Sequence, residues 1–423
     1  MLILTKDSII KVLLSCSLIF LSFTNVFIFS VVEARISLYI FSLFVFILII
    51  LGLRSKIPNL TNQYVLLFYI LLSFLVNFKA SKITSVIYSG LFIIYYVYLF
   101  YLVKKFFVLS DFLRVLKIII LSYFIVLLIS QFLVIFDLYS LNTPYNDYFQ
   151  STGPLGIQRN NITKTFRYHS LSSEPSYAAI IMIICYNIII LFNSSKREVV
   201  LYGIIVLYMI LSFKSAIGII LLLLLIVGNL RLSSKQILLF LLPILVITLL
   251  MLYFNFGGKS IERIRNLILL IFSSEGEFLK RLNLIDSSAY ARLNPFYVYI
   301  RDVNFLDLHF YLGHGANTSE EYFTEILYPN SWESHLSFRP GFIPGFLYDY
   351  GILGVVFVFN WLLLKIIKIK RNLFFIALIS ILMLNSNFNT QLFWIFVTFY
   401  TIANMFLINS NSISSVSCKM ENV

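Results

Sequence analysis

Charge is scarce in this sequence. Asp, Glu, Lys and Arg together make up 12% of its 423 residues, about half the roughly 25% of a soluble domain. A surface wetted on all sides cannot be built from so little, which excludes an ordinary set of soluble domains. There are only four histidines and three cysteines. Cys16 and Cys185 fall within apolar runs and Cys418 in the tail, so no pair is placed for a structural disulfide and no Cys-x-x-Cys spacing marks a metal site. Nine prolines and sixteen glycines are too few for a collagen-like or low-complexity chain.

What the sequence has is hydrocarbon. Hydrophobic residues reach 60% and mean hydropathy is +0.92, the composition of an all-α polytopic integral membrane protein governed by bilayer rules. Apolar runs fall at 9–32, 36–53, 64–78, 83–103, 118–136, 177–193, 199–213, 216–230, 236–256, 341–364, 373–388 and 391–409. The first run is longer than a signal-peptide core and lacks a small-residue cleavage site, so it reads as the first of about twelve spans. The stretch 199–230 decides the count. As one helix it would be about 48 Å long at 1.5 Å per residue, against about 30 Å of hydrocarbon. The break at Ser212, Lys214 and Ser215 instead predicts a helical hairpin.

Charge asymmetry tests that choice. With the N-terminus inside, the inner segments carry seventeen Lys and Arg, including Lys104, Lys105, Arg114 and Lys117, and the cluster Lys365–Arg371. The short outer loops carry four: Arg35, Lys79, Lys82 and Lys214. This positive-inside bias predicts both termini inside, and a merged 199–230 helix would invert the Lys365–Arg371 cluster. It also accounts for the net charge of +13 without nucleic acid, since no polar segment interleaves basic and aromatic residues.

The expected organisation is therefore five spans in 1–136, an outer loop at 137–176, spans six to nine in 177–256, a large outer loop at 257–340, spans ten to twelve in 341–409 and an inner tail at 410–423. Loops of this length carry function or structure of their own. In the larger, Ile261, Ile264, Ile268 and Ile271 predict an interfacial amphipathic helix, and a second helix is expected from Ser287 to about Tyr299, interrupted at Pro295.

The smaller loop ends in Arg167-Tyr168-His169-Ser170-Leu171-Ser172-Ser173-Glu174-Pro175-Ser176 and runs straight into an apolar helix. Pro175 suits a first helical turn, and Glu174 before it suits the helix dipole. Capping alone gives no reason for Arg167, and so many ionisable groups within eight residues of a membrane surface mark a candidate site. Asp349 lies about eight residues into its span, where an acid is either functional or paired structurally. Lys214 either serves a site or snorkels to the interface.

An Arg followed by Ser-Glu-Pro-Ser at the head of a span resembles the bacterial O-antigen polymerase (Wzy) family and its O-antigen ligase relatives. Three further stretches are similar to motifs of that family. They are Leu211-Ser-Phe-Lys214-Ser-Ala-Ile-Gly218, Ala291-Arg292 with Gly313-His314-Gly315, and Asp349-Tyr-Gly351-Ile-Leu-Gly354. Together they cover about residues 160–360. One departure is plain: His335 lies sixteen residues before Gly351, whereas related ligases place a His about eleven before the matching Gly, where this chain has Pro340 beside Arg339.

The resemblance implies a GT-C-like architecture with two periplasmic loops in the bacterial inner membrane, both termini cytoplasmic and the active site periplasmic. It implies metal- and cofactor-independent, inverting transfer of a glycan from undecaprenyl diphosphate to a sugar hydroxyl of a lipid-linked repeat unit, with membrane lipid around it and a chain-length regulator as a candidate partner. An anionic diphosphate leaving group calls for cations, and Arg167, Lys214, Arg292 and Arg339 are the candidates. The attacking hydroxyl calls for a base. His335 is slightly favoured because imidazole titrates near 6.5, with Glu174 next and His314 third; His169 and Ser176 are further candidates. Two other readings stay open. One is an O-antigen ligase of the same fold; the other is a lipid-linked oligosaccharide flippase, which would be expected to carry charge at the middle of many helices.

Overall fold

The computed structural model describes residues 6–24, 36–52, 61–138, 157–159, 166–192, 195–229, 282, 287–327, 340–360 and 373–420. Within them the chain is a helical bundle. Its first half consists of α1 (Lys6–Ser22), α2 (Ile36–Gly52), α3 (Thr61–Val76), α4 (Ile83–Phe106), α5 (Leu109–Ile135), α6 (Pro175–Phe192), α7 (Lys196–Phe213) and α8 (Ala216–Asn229). Then follow α9 (Ser287–Asp302), α10 (Leu308–Leu312), α11 (Thr318–Leu327), a π-helical turn (Phe342–Phe346), α12 (Leu347–Val358), α13 (Leu373–Asn385) and α14 (Gln391–Met420). One antiparallel ladder pairs β1 (Ile157–Arg159) with β2 (Phe166–Tyr168), Gln158 opposite Arg167. Among the described residues four stretches are long and apolar enough to cross a membrane: α4, α5, α6 and Gln391–Ile408 of α14. Parts of α2, α3, α8, α12 and α13 are shorter apolar helices.

Two helices form the axis. From Ala178 to Ile189 every residue of α6 is buried, as is every residue of α14 from Gln391 to Ala403. A helix apolar all round has no solvent face to offer and is surrounded by other helices: α5, α7, α8 and α14 pack around α6. The one amide on this stretch of α6, Asn187, donates to the Tyr400 hydroxyl of α14 at 2.7 Å, as a buried donor must. On α14, Trp394 stacks with Phe92 of α4 and gives its indole N–H to Phe388 O at 2.8 Å. At the periphery, Phe68 and Leu75 of α3 and Ile125 and Phe132 of α5 are exposed, the outward apolar face of a bundle whose solvent is lipid.

Side-chain pairs register the helix ends. Lys11 meets Asp111 at 2.9 Å and Lys117 meets Glu198 at 2.6 Å, which puts the starts of α1, α5 and α7 at one end, here the basic end. The opposite end collects the close of α1, the α3–α4 turn, the start of α6, the α7–α8 turn, the start of α12 and the α13–α14 turn. The hairpin expected within 199–230 is present: α7 stops at Phe213, Lys214 takes a left-handed conformation (φ 52°, ψ 41°), and α8 starts at Ala216.

Some boundaries differ from those expected. α1 ends at Ser22, where the Ser22 hydroxyl returns to Ile19 O. α5 begins at Leu109, nine residues before its apolar run, because Asp111 reaches back to the Val108 N–H and the charged first turns remain helical beyond the apolar stretch. α9 runs through Pro295 to Asp302 without interruption. The span 236–256, the amphipathic stretch 261–271 and the cluster Lys365–Arg371 lie outside the described residues.

Candidate functional site

The turn between β2 and α6 is bolted to the bundle by hydroxyl groups. Thr24 Oγ1 and Ser172 Oγ lie 2.8 Å apart, and Ser173 N–H donates to Thr24 Oγ1 at 3.1 Å. Ser170, left-handed at φ 51°, donates to Tyr123 O, while the Tyr123 hydroxyl donates to Ser22 O at 2.7 Å. His169 is wholly buried and bonds through Nδ1 to Ser172 O of its own turn. Its place is therefore inside the corner, holding the turn. Glu174 is exposed: its carbonyl accepts from Ala178 N–H and its carboxylate from the Ser176 hydroxyl at 3.1 Å. Lys214 arrives from the α7–α8 turn, exposed, with Nζ 3.2 Å from Phe166 O. Lys214 and the β2 backbone next to Arg167 thus meet from segments 48 residues apart, and Glu174 and Ser176 stand at the far end of the same turn, paired with each other. A cation and a carboxylate on the exposed side of a rigid turn suit an anionic ligand carrying hydroxyl groups.

A second assembly joins the Gly313–Gly315 segment to the start of α12. That helix is broken at Gly351 (φ 67°, ψ −179°), and a break frees the preceding carbonyls from helical partners. All three are re-satisfied. His314 N–H donates to Tyr348 O and Gly315 N–H to Asp349 O, both at 3.0 Å, and the Tyr69 hydroxyl of α3 lies 2.5 Å from Tyr350 O. The two segments pass so closely that a Cβ on Gly313 would strike the Asp349 carbonyl, and one on Gly351 would strike Tyr311 O. Both glycines also have positive φ, so these two motif positions demand glycine on backbone grounds.

Asp349 is buried with Oδ1 accepting from Ser319 N–H at 2.8 Å and lying 3.3 Å from the Thr318 hydroxyl. It caps the first turn of α11 from another element, which gives this buried acid a structural partner. His314 is held between two rings, Tyr348 at 4.1 Å and His309 at 4.8 Å, and Tyr322 continues the column on the far face of Tyr348 at 4.6 Å. Burial pushes the His314 pKa below its ordinary 6.5.

The α13–α14 turn ties the two assemblies together. Asn385 O accepts from the Tyr177 hydroxyl at 2.7 Å, Ser386 O from Phe342 N–H at 2.5 Å, and Asn387 Nδ2 lies 3.4 Å from Pro340 O. This turn was not singled out in the sequence, although three asparagines and a glutamine within Asn385–Gln391 stand out from their apolar surroundings. Arg292 sits half-buried on α9, which packs against the Phe342–Phe346 turn. His335 and Arg339 lie outside the described residues.

No family model and no curated protein matches the chain. Among the described residues, no three His, Cys, Asp or Glu side chains stand close enough together to hold a metal.

Proposed function

We propose that the chain is a membrane glycosyltransferase that joins undecaprenyl-diphosphate-linked oligosaccharide repeat units into an O-antigen or capsule-type polysaccharide at the periplasmic face of the bacterial inner membrane. The observation that carries this reading is convergence. Parts of all four stretches that resemble the polymerase family, spread over residues 160–360, lie on elements gathered at one end of the bundle: Lys214 against β2, Gly313–Gly315 against the start of α12, the turn at Asn385–Gln391 between α6 and Phe342, and α9, which carries Arg292, against the Phe342–Phe346 turn.

In the proposed reaction a sugar hydroxyl oxygen attacks the anomeric carbon of the growing glycan. The C–O bond to the diphosphate breaks, its electron pair stays on the diphosphate oxygen, and the hydroxyl proton passes to a base, with inversion. Arg167 and Lys214 neutralise the departing charge, with Arg292 and Arg339 as further cations. Glu174 or His335 takes the proton. A transporter reading is less well supported: in the described parts of α1–α8 and α12–α14 the one Asp, Glu, Lys or Arg away from the edge of an apolar run is Asp349, whereas ion-coupled carriers place several at the midplane.

Two measurements test the reading. In cells lacking the protein, a polymerase defect leaves lipid cores capped by a single repeat, a ligase defect strands polymer on its carrier, and a flippase defect removes both. With purified protein and a lipid-linked repeat unit, Arg167→Ala should slow formation of products longer than one repeat on the order of 100-fold, while Arg167→Lys recovers it in part. A normal product ladder from Arg167→Ala would overturn the assignment of that corner.

A further inference from the structure

The outward face of α9 is apolar where a water-facing helix would be polar. Leu293, Phe296, Tyr297 and Ile300 recur at helical spacing and are all exposed, while Asn294, Pro295 and Val298 on the other face are buried. The turn that follows continues the feature: Phe305 is 64% exposed, Leu306 94% and Leu308 63%. Single exposed leucines are ordinary, but a contiguous ridge marks an interaction surface.

Polar groups along the ridge are compensated locally. Arg301 and Asp302 pair through two bonds, Nε–Oδ1 at 2.6 Å and Nη2–Oδ2 at 2.9 Å. Asp307 accepts from His309 N–H and Asn304 from Leu306 N–H, each at 3.0 Å. A surface prepared this way sits at low cost where water thins out.

The level of the segment is fixed by α3. Ser73 and Asn77, spaced one turn apart, donate to two consecutive carbonyls, Leu312 O and Gly313 O, each at 3.2 Å, while the Tyr69 hydroxyl, bonded to Tyr350 O, lies 3.4 Å from Tyr311 O. The chain leaving α10 therefore runs alongside the last two turns of an apolar helix. Non-helical backbone at that level needs protein partners for its carbonyls, and this ladder supplies them. The adjoining face of α3, with Phe68, Leu72 and Leu75, is itself exposed and apolar.

We infer that α9 and the turn after it form a lipid-interface anchor whose partner is the headgroup–acyl boundary of the bilayer, continuous with the lipid-facing side of α3. Tyr297 and Tyr311 suit the headgroup level, and Leu306 and Ile300 the acyl side. Anchoring here holds Gly313–Gly315, and with it the start of α12, at a fixed height over the membrane.

The test is depth measurement on the full chain in liposomes, with Cys16, Cys185 and Cys418 replaced by alanine. Nitroxide labels are placed singly at Leu306→Cys and Ile300→Cys, with Phe68→Cys as the lipid-facing reference and Glu325→Cys as the aqueous one. Dissolved oxygen, which concentrates in lipid, should relax the Leu306 and Ile300 labels more than a water-soluble nickel chelate does, as at Phe68. Relaxation by nickel at the level of Glu325 would place the ridge in water and overturn the inference. Protection from both relaxants would overturn it too, because protein, from this chain or a second copy, would then cover the ridge.

Discussion

Asp349 holds the first turn of α11 through one carboxyl oxygen, and asparagine at that position keeps an oxygen while removing the capacity to carry charge. Asp349→Asn is therefore expected to unfold within about 1 kcal/mol of the parent, whereas Asp349→Leu strands a buried N–H and costs about 1–3 kcal/mol. Product formation should survive in Asp349→Asn; its loss in a protein of unchanged stability would place Asp349 among the catalytic residues. His314 gives a pH dependence of definite sign. Its pKa is depressed below 6.5 by burial, so below that pH the unfolded chain binds the proton more readily than the folded one, and stability falls as pH drops. Melting temperatures between pH about 7.5 and about 5.5 should decline, and His314→Gln should flatten that decline. Among single residues, the Arg167–Glu174 stretch stands out in the sequence because ionisable groups are rare in this chain. The capping role of Asp349 does not, because its partner lies 30 residues away on an element with no sequence signal pointing back.

At the scale of elements, the α7–α8 hairpin separates two duties of Lys214. Its left-handed backbone costs a non-glycine residue about 1–2 kcal/mol, while its ammonium group faces the corner. Lys214→Gly should raise or preserve the melting temperature and still slow chain elongation. Unchanged elongation would reduce Lys214 to a turn residue that snorkels. Apolar runs located the described bundle helices but not all of their ends, because hydropathy reports solubility in lipid and helices continue wherever backbone bonds can form. Hence α5 starts at Leu109, about two and a half turns before its apolar run. The break at Gly351 was hidden for the opposite reason. Residues 341–364 read as one run, and only the tertiary donors His314, Gly315 and Tyr69 make an interruption tolerable there.

At the scale of the whole molecule, the basic end and the opposite end are expected on opposite sides of the membrane. Lys79→Cys, in the α3–α4 turn, should react with an impermeant thiol reagent in intact cells, and Lys105→Cys, at the close of α4, only after permeabilisation. The reverse labelling would invert the proposed orientation and place the Lys214 corner in the cytoplasm.

The enclosed position of α6 also bears on how the protein is made. A helix this apolar can leave the translocation machinery unaided, yet its lasting neighbours do not all exist at that moment. Tyr400, whose hydroxyl accepts the Asn187 amide hydrogen bond, is synthesised 213 residues later. Until then α6 keeps a polar side chain without this partner, and a ribosome stalled before Gln391 would leave a membrane-inserted chain whose central helix is open to lipid on its α14 side, a natural substrate for membrane quality control.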